Sequence, residues 1–465
     1  MATILETEKT PLTTLPRNMG LALAVSVVVS NVIGVGIFTT SGLLARDLGD
    51  ARLLLGIWLA GGILALSGAL CYAELGATFP RAGGEYAYLR EAYGPLPSFL
   101  SGWASLFAGF SAPIAAAAVG FTEYMSFYFP VLSTQRPEAA SQGFLLPGHF
   151  VSTSVILLLS GVHYCKVKVG GPVHVGLTTF KVAIIVIFIV CGFLVGKGNV
   201  SHFASTVPIS EWPRFASSVG GGLIFVMFSY SGWNAAAYIG GEIRNPVRNL
   251  PRSLFLGTLL VVFLYIAMNA LYIYAIPLSE MASVIRIAEL ASLNLFGINV
   301  APFLNIIFMG TILGSISAMI IGGPRIYYAM AHDGLFPKAI ARVHPRFGTP
   351  GNAILLQAVW SVLLVFTGRF EQLLTFSGVV LILFSALTVA SVYFIRKKTG
   401  TESRIYTGWG YPWTMLLFLA FSLWILAVTF TGRPRESLLG LAVIASGIPF
   451  YFYWKRKSNV VKSAE

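Results

Sequence analysis

The sequence predicts an all-helical integral membrane protein with twelve transmembrane helices. Hydrophobic residues make up 56% of the 465 positions and charged residues only 11%, whereas an average soluble domain carries about 25% charged residues. The mean hydropathy is +0.77, and apolar runs of about 20 residues follow one another with short polar joins. This composition excludes an ordinary soluble enzyme and favours a bundle of helices packed in lipid.

Twelve apolar runs define the expected helix order. They cover residues 20–44, 52–78, 96–129, 149–165, 173–196, 216–241, 251–277, 301–330, 351–367, 371–395, 411–431 and 437–454. If both termini are cytoplasmic, about two-thirds of the 31 Lys and Arg residues fall on the cytoplasmic side, as the positive-inside rule requires. Residues 1–18 lack the apolar stretch and cleavage site of a signal peptide, so we expect the first span to be an uncleaved anchor.

The charge and the ligand-forming residues exclude several function classes. The net charge of +13 comes from short basic clusters between the apolar runs, which is typical of topology signals and argues against a nucleic-acid partner. The three cysteines lie in or beside apolar runs, no two histidines are spaced i,i+4, and no phosphate-binding glycine loop occurs. The sequence therefore predicts no disulfide framework, no metal site, no cofactor and no enzymatic activity.

Two of the predicted helices are interrupted near their centres. The first carries Asn31-Val32-Ile33-Gly34-Val35-Gly36-Ile37-Phe38, and the sixth carries Phe228-Ser229-Tyr230-Ser231-Gly232-Trp233-Asn234. Unpaired backbone groups are costly in lipid, so such breaks must be buried in protein or line a cavity. Each break alone is also consistent with close helix packing through glycine. Because the two lie five spans apart, they cross the membrane in opposite directions, which indicates a transporter site between inverted halves.

The polarity of the two breaks predicts the ligand. A half-helix that starts near Val35 directs the free N–H groups of residues 35–37 into the site with a partial positive charge, which suits a carboxylate. The first half of the sixth helix should end with unpaired carbonyl groups on Phe228, Ser229 and Ser231, which suits an ammonium group. Two helix ends of opposite polarity side by side predict a binding site for a zwitterion, such as an α-amino acid.

Four sequence blocks resemble the amino acid–polyamine–organocation superfamily of transporters. They are Gly34 to Phe38 in the first span, Ala69 to Gly76 continuing to Pro80–Tyr86 after the second, Phe228 to Asn234 continuing to Glu242–Pro246 in the sixth, and Pro324 to Ala331 with Asp333–Pro337 after the eighth. The blocks follow the family's order across residues 30–350. The aromatic-rich sixth span most resembles the L-type amino acid transporters and their bacterial relatives.

The resemblance implies a leucine-transporter-like fold, in which two inverted five-helix repeats give alternating access to a central site. The repeats would be 19–200 and 201–400, followed by two more helices at 401–456, with cytoplasmic tails at 1–18 and 457–465. The implied substrate-binding residues are Ile33, Gly34, Val35, Gly36, Ile37, Phe228, Ser229, Ser231 and Asn234. Phe228 would be the gate over the bound substrate, and Asn234 would tune side-chain selectivity.

Lys181 is the candidate coupling residue. It lies ~12 Å of helix from the inner end of the fifth span, where a lysine costs about 2.5–3.5 kcal/mol on insertion scales. Either its side chain extends to the inner interface, or its ammonium group turns inward to the broken first helix near Gly34. The resemblance implies the second arrangement, because many sodium-independent members carry a lysine in this neighbourhood. We therefore expect transport without sodium, and proton coupling through Lys181 stays open.

Three glutamates are weaker candidates. Glu123, toward the outer end of the third span, is a possible vestibule residue that would bias the site toward cationic substrates; the other interpretation is a carboxylate at the outer interface. Glu74 and Glu242 lie at inner helix ends beside basic loops, where Arg81 and Arg244 are their expected partners.

The leading hypothesis is a sodium-independent exchanger or uniporter of small or medium-sized neutral L-amino acids. The alternatives are a cationic amino acid or polyamine antiporter, a proton-coupled amino acid symporter, and, from another class, a non-transporting scaffold or channel. The expected partners are an amino acid substrate and the lipid bilayer. Animal L-type transporters bind a glycoprotein subunit through a cysteine in the loop after the third span, and residues 130–148 contain no cysteine. We therefore expect no disulfide-linked heavy chain, and the short tails favour a bacterial inner membrane with both termini cytoplasmic.

Overall fold

Helices make up nearly all of the part of the chain that the computed structural model describes, which is residues 17–81, 83–134, 146–165, 171–204, 212–367, 370–399 and 406–462. The first half contains α1 (Leu21–Val32), α2 (Val35–Leu48), α3 (Ala51–Thr78), α4 (Glu85–Tyr93), α5 (Pro95–Ala104), α6 (Ser111–Met125), α7 (Pro147–Tyr164) and α8 (Gly171–Val195). The second half contains α9 (Trp212–Tyr230), α10 (Ala235–Tyr238), α11 (Pro246–Ala275), α12 (Leu278–Met281), α13 (Ile287–Phe296), α14 (Ala301–His332), α15 (Gly351–Thr367), α16 (Phe370–Thr399), α17 (Trp413–Gly432) and α18 (Pro434–Lys462). The predicted all-helical class is confirmed for these residues.

Nine helical segments among the described residues are long and apolar enough to cross a membrane. They are Leu21–Leu48, Ala51–Thr78, Pro95–Met125, His174–Val195, Pro246–Ala275, Ala301–His332, Phe370–Lys398, Trp413–Gly432 and Pro434–Lys457. The three other predicted spans coincide with α7, with the broken helix α9–α10 and with α15. The twelve-span count and the inverted repeat therefore stay predictions. Residues 1–16 and 463–465 of the predicted tails and most of the loop at 130–148 lie outside the described residues, whereas residues 457–462, predicted as tail, continue α18.

Local sequence signals explain where several helices begin and end. Gly49 ends α2 with a φ of 64°, a left-handed conformation that glycine adopts without strain. Asp50 then caps α3, because its carboxylate accepts hydrogen bonds from the backbone N–H groups of Arg52 and Leu53. Proline occupies the first turn of α5, α7 and α11, where its missing N–H group costs nothing. Ordinary capping chemistry thus accounts for the end of α2 and the starts of α3, α5, α7 and α11.

The third predicted span is not one uniform helix. A six-residue π-helical segment, Ser105–Phe110, separates α5 from α6, and such segments are often found at functional sites. The sequence pattern predicted a continuous helix here because hydropathy does not report the local number of residues per turn.

Backbone hydrogen bonds join both ends of the broken first helix to other parts of the chain. At the α2 end, Ser283 donates its backbone N–H to the carbonyl of Gly42 at 2.9 Å. At the α1 end, Met19 donates to the carbonyl of Glu242 at 3.0 Å and accepts from the N–H of Arg244 at 2.8 Å. The segment between these contacts, residues 33–40, is buried. The fold therefore encloses the break from both directions.

Candidate functional site at the two broken helices

The first break exposes helix ends of both polarities inside the protein. Helix α1 ends at Val32 and α2 begins at Val35, with Ile33 and Gly34 extended between them. The backbone N–H groups of residues 35–37 form the first turn of α2, so they have no partner within that helix and carry a partial positive charge. On the other side, the carbonyl of Val32 accepts the Tyr265 hydroxyl at 2.7 Å. The start of α2 thus has the polarity that the sequence predicts, and binding of a carboxylate by these amides stays a prediction.

The second break is a tight turn that depends on glycine. Helix α9 ends at Tyr230 and α10 begins at Ala235, and Gly232 in the turn has a φ of 98°, a conformation that other residues adopt only under strain. The backbone N–H of Ser231 donates to the carbonyl of Phe228 at 2.9 Å. The hydroxyl of Tyr265 also lies 3.1 Å from the carbonyl oxygen of Ser229.

These contacts correct the expectation that the carbonyl of Phe228 is unpaired, whereas the expectation for the carbonyls of Ser229 and Ser231 stays a prediction. Both carbonyl oxygens already lie within hydrogen-bonding distance of a donor, because the chain turns back on itself and Tyr265 approaches from α11. A carbonyl oxygen has two lone pairs, so each retains the capacity for one further donor. An ammonium group would therefore be the second donor to the carbonyl of Phe228. At Ser229 it would meet a carbonyl whose neighbour, the Tyr265 hydroxyl, has a single hydrogen and lies closer to the carbonyl of Val32.

The two breaks lie in direct contact with each other. A Cβ atom added to Gly36 would lie 2.5 Å from Oγ and 2.7 Å from Cα of Ser229, and one added to Gly232 would lie 2.9 Å from Cβ of Asn31. The hydroxyl groups of Thr40 and Ser229 are also 2.9 Å apart. The amide-rich start of α2 and the carbonyl-rich end of α9 thus meet at one place, and only glycine permits this spacing.

A small cavity adjoins the second break. Its volume is ≈ 20 Å³, and it is lined by Met227, Phe228, residues 231–234, Gly378, Leu381, Ile382, Ser385 and Phe418. This volume is about that of one water-sized space, so an amino acid can enter only if lining side chains move. Phe228 is buried in this wall, which is compatible with the predicted gate, although its role as a gate stays a prediction.

The buried Lys181 side chain points to the first break. It is 7% exposed, and its ammonium group donates a hydrogen bond to the carbonyl of Ile33 at 2.9 Å. Its neighbours Leu177 and Phe180 are 60% and 65% exposed, so the outward face of α8 is apolar and the lysine lies on the inward face. Of the two arrangements predicted for Lys181, the structure has the inward one. Its function in coupling stays a prediction.

Glu123, the possible vestibule residue, is buried and paired with the chain that follows α6. Its side chain is 1% exposed and accepts hydrogen bonds from the hydroxyl of Ser133 at 3.0 Å and the backbone N–H of Thr134 at 2.7 Å. The Thr134 hydroxyl donates to the same carboxylate. Glu123 therefore fixes the start of the loop after α6, and the carboxylate is already paired.

The expected partners of Glu74 and Glu242 are wrong. Glu74 forms a two-pronged ion pair with Arg396 of α16, with N–O distances of 2.6 and 2.5 Å, and Glu242 pairs with Arg325 of α14 at 3.2 Å. Each partner is distant in sequence, whereas proximity in sequence had suggested the neighbouring basic loops. These pairs fasten helix ends together away from the two breaks.

Glu85 is a polar residue of the site that the sequence analysis did not single out. Its carboxyl group is 3% exposed and lies at the start of α4, where Oε1 accepts from the Tyr72 hydroxyl at 2.5 Å, from Nδ2 of Asn234 at 3.1 Å and from the Ser385 hydroxyl at 3.2 Å. Burial raises the pKa of Glu85. An acidic residue directly after two glycines, between two long apolar runs, was the available signal.

Known proteins place the chain in a family. Residues 20–450 match the model of the amino acid permease family. The chain is 29% identical over 452 residues to the large neutral amino acids transporter small subunit 2 of Mus musculus, covering 95% of this chain and 82% of that protein. It is 28% identical over 446 residues to the serine/threonine exchanger SteT of Bacillus subtilis (strain 168), covering 95% and 98%.

A third relative is the Asc-type amino acid transporter 1 of Mus musculus, which is 27% identical over 455 residues, covering 96% of this chain and 83% of that protein. The resemblance identified from the four sequence blocks is thereby confirmed, and the match extends over almost the whole chain. Together with the long apolar helices, it shows a multi-pass membrane protein. The chain belongs to the amino acid permease family.

Proposed function

We propose that the protein is a sodium-independent exchanger or uniporter of small and medium-sized neutral L-amino acids that works by alternating access. The observation that carries this proposal is the direct contact of the two breaks through Gly36 and Ser229. Helix breaks are expensive in a membrane, and here two of them are brought together with opposite polarity. We further propose twelve spans, with repeats at 19–200 and 201–400 and two additional helices at 401–456.

In this proposal the two helix ends bind the two charges of one zwitterion. The N–H groups of Val35, Gly36 and Ile37 hold the substrate carboxylate, because helix N-termini bind anions through free amides and the helix dipole. The remaining lone pairs on the carbonyls of Phe228 and Ser229, together with the carbonyl of Ser231, hold the ammonium group. Val35 offers no hydroxyl, so backbone amides alone contact the carboxylate.

The ammonium group of Lys181 supports sodium independence. It donates to the carbonyl of Ile33 within the first break, so this buried carbonyl is satisfied by a charge that belongs to the protein. A sodium ion would serve the same purpose by coordinating carbonyl oxygens. The second candidate is a proton-coupled symporter, in which the amine of Lys181, a titratable group at the first break, would be the proton-carrying residue.

The cationic amino acid or polyamine antiporter has less support. It required an acidic group facing the substrate route, and the candidate Glu123 is paired with the loop that follows α6. The non-transporting scaffold or channel is disfavoured because it has no need of a buried lysine and two glycine-dependent breaks. The names of the relatives support the same conclusion, since they describe amino acid transporters and, in one case, an exchanger.

We propose that the protein works without a disulfide-linked heavy chain, since residues 130–148 contain no cysteine. Cytoplasmic termini are part of the same proposal and are supported by the distribution of Lys and Arg, and location in a bacterial inner membrane is proposed with them.

The test is uptake of a labelled amino acid panel into proteoliposomes in sodium-free buffer, with and without unlabelled substrate inside. We expect a neutral amino acid to accumulate, and to accumulate faster when the lumen is preloaded. Uptake confined to arginine, lysine or polyamines would favour the antiporter, and uptake that appears only with sodium would overturn sodium independence. Absence of any amino acid uptake would contradict the proposed function as a whole.

A further inference from the structure

An open groove runs along one face of α18, close to the end of that helix. Its volume is ≈ 680 Å³, and it is lined by Pro449, Phe452, Tyr453, Arg456 and Lys457. These positions follow the spacing i, i+3, i+4, i+7 and i+8 of a single helix face, so the five side chains share one side of α18. All five residues are exposed, and none of them belongs to the two broken helices.

The opposite face of this helix end is packed against the rest of the protein. Tyr451 is buried, and its ring centroid lies 5.6 Å from that of Phe99 in α5. The ring centroid of Trp454 lies 5.2 Å from that of Phe336. These contacts fix the rotation of α18 about its own axis. The groove therefore faces the surroundings of the protein.

The groove changes character along its length. Phe452 and Tyr453 are 49% and 59% exposed, and aromatic side chains are enriched where a membrane helix crosses the boundary between acyl chains and headgroups. Arg456 and Lys457 follow about one turn later, ~6 Å further along the helix axis. An apolar segment is thus followed by two cations, in the order in which a phospholipid has its acyl chains and its phosphate.

The charge of the groove determines which class of lipid fits. None of the five lining residues is acidic, and within the described part of the chain neither Arg456 nor Lys457 takes part in an ion pair. A guanidinium group can bind two phosphate oxygens at once, and a lysine adds a second positive charge. The ammonium group of a zwitterionic headgroup would meet no carboxylate in this groove. The two cations therefore favour a headgroup with a net negative charge.

We propose that the groove on α18 is a binding site for one anionic phospholipid. Arg456 and Lys457 bind the headgroup phosphate, and an acyl chain lies along Phe452 and Pro449. Basic residues directly beyond a membrane helix attract anionic lipids, and the groove gives this attraction a defined place. Because the site lies apart from the two breaks, lipid binding here does not depend on which amino acid the protein transports.

The test measures the affinity of the most tightly bound phospholipid for the purified full-length protein in detergent. Native mass spectrometry counts bound lipids during titration with dioleoylphosphatidylglycerol or with dioleoylphosphatidylcholine, which has the same acyl chains but no net charge. We expect the anionic lipid to bind about tenfold more tightly, because it alone gains from both cations. Equal affinities of the two lipids would overturn the proposal.

The double variant Arg456→Gln, Lys457→Gln removes both cations from the groove. Because each basic residue beside anionic lipid is worth a factor of about five, we expect the affinity for phosphatidylglycerol to fall roughly 25-fold. The matched control is the double variant Lys397→Gln, Lys398→Gln, which removes two exposed charges from the end of α16. The control should bind the lipid as the wild type does. An equal loss in both double variants would show a general effect of surface charge and would overturn the site.

The variant Phe452→Ala tests the apolar half of the groove without changing a charge. We expect phosphatidylglycerol to bind about threefold more weakly, since part of the apolar contact area is lost. The matched control is Phe263→Ala, which removes a phenylalanine of α11 that is 64% exposed and should leave the affinity unchanged.

Two other occupants of the groove give different results. If glycerol phosphate competes as strongly as the lipid, or if Phe452→Ala binds the lipid as the wild type does, the groove binds phosphate alone and the lipid site is overturned. If the protein is a dimer that dissociates in the double variant of Arg456 and Lys457 while the lipid affinity is unchanged, the groove binds a second copy of the chain. That result would equally overturn the proposal.

Discussion

Replacing Gly36 by alanine tests whether the spacing of the two breaks determines binding. The added Cβ atom would lie 2.7 Å from Cα of Ser229, whereas ordinary contact begins at 3.4 Å. The backbone of α2 and α9 must therefore separate by about 0.7 Å. One atom that the added Cβ would meet is the backbone Cα of Ser229, so rotating the serine side chain does not relieve the clash. The start of α2 and the end of α9, which would bind the carboxylate and the ammonium group, move apart as a result.

The expected size of the effect follows from the cost of overpacking. Extra methyl groups in a close-packed core cost about 1–3 kcal/mol, which corresponds to a roughly 5- to 150-fold loss of affinity if the cost falls on the bound state. We expect Gly36→Ala to remain folded and to bind amino acid at least fivefold more weakly than the wild type. The measurement is competition binding to purified protein, with a thermal melt of the same sample as the check on folding.

The matched control for this prediction is Gly221→Ala. Gly221 lies in α9, and a Cβ atom added there would meet no atom within 4 Å, so the change alters helix propensity alone. We expect affinity within twofold of the wild type. Wild-type affinity in Gly36→Ala, or an equal loss in both variants, would refute the argument that contact between the breaks creates the site.

Three further predictions concern buried charges. Lys181→Met removes the hydrogen bond to Ile33, and because a bond to a charged group is worth about 1.5–3 kcal/mol, exchange in proteoliposomes should slow at least tenfold; an unchanged rate would exclude a coupling role. Arg396→Gln leaves the carboxylate of Glu74 buried without its ion-pair partner. The free energy of unfolding should therefore fall by about 3–5 kcal/mol. The measurement is the melting temperature in detergent, and an unchanged melting temperature would contradict this prediction. Burial raises the pKa of Glu289, which lies in none of the nine long apolar helices, to about 7. Since the folded state then holds a proton that the unfolded state has lost, stability should fall as pH rises from about 5 to 7.5, and Glu289→Gln should abolish this slope in melts at several pH values.

The helical class and the two breaks could be predicted from the sequence because their signals are local. A run of apolar residues predicts a membrane helix wherever it folds, and glycines beside Asn31 and Asn234 mark interruptions within such runs. The short helices α4, α12 and α13 were not predicted, since they have 9, 4 and 10 residues and are too short for hydropathy to distinguish from loops.

The contacts that complete the site could not be predicted, because they join residues far apart in the chain. Glu85 and Asn234 are separated by 149 positions, and Glu74 and Arg396 by 322. The prediction from neighbouring basic loops therefore named the wrong partners for Glu74 and Glu242. Tyr265 is another example, since its hydroxyl approaches both breaks from the middle of α11, and an apolar helix pattern does not indicate which tyrosine faces inward.

The claim that one helix end binds a carboxylate and the other an ammonium group is tested most directly with substrate derivatives. Competition against a labelled, transported amino acid should be measured for that amino acid, its methyl ester and its N-acetyl form. The ester lacks the carboxylate that the amides of residues 35–37 would bind, and the acetylated form lacks the ammonium group. Because each charge-assisted contact is worth about 1.5–3 kcal/mol, we predict that both derivatives compete at least tenfold more weakly than the free amino acid. Competition by either derivative that equals that of the free amino acid would contradict the account.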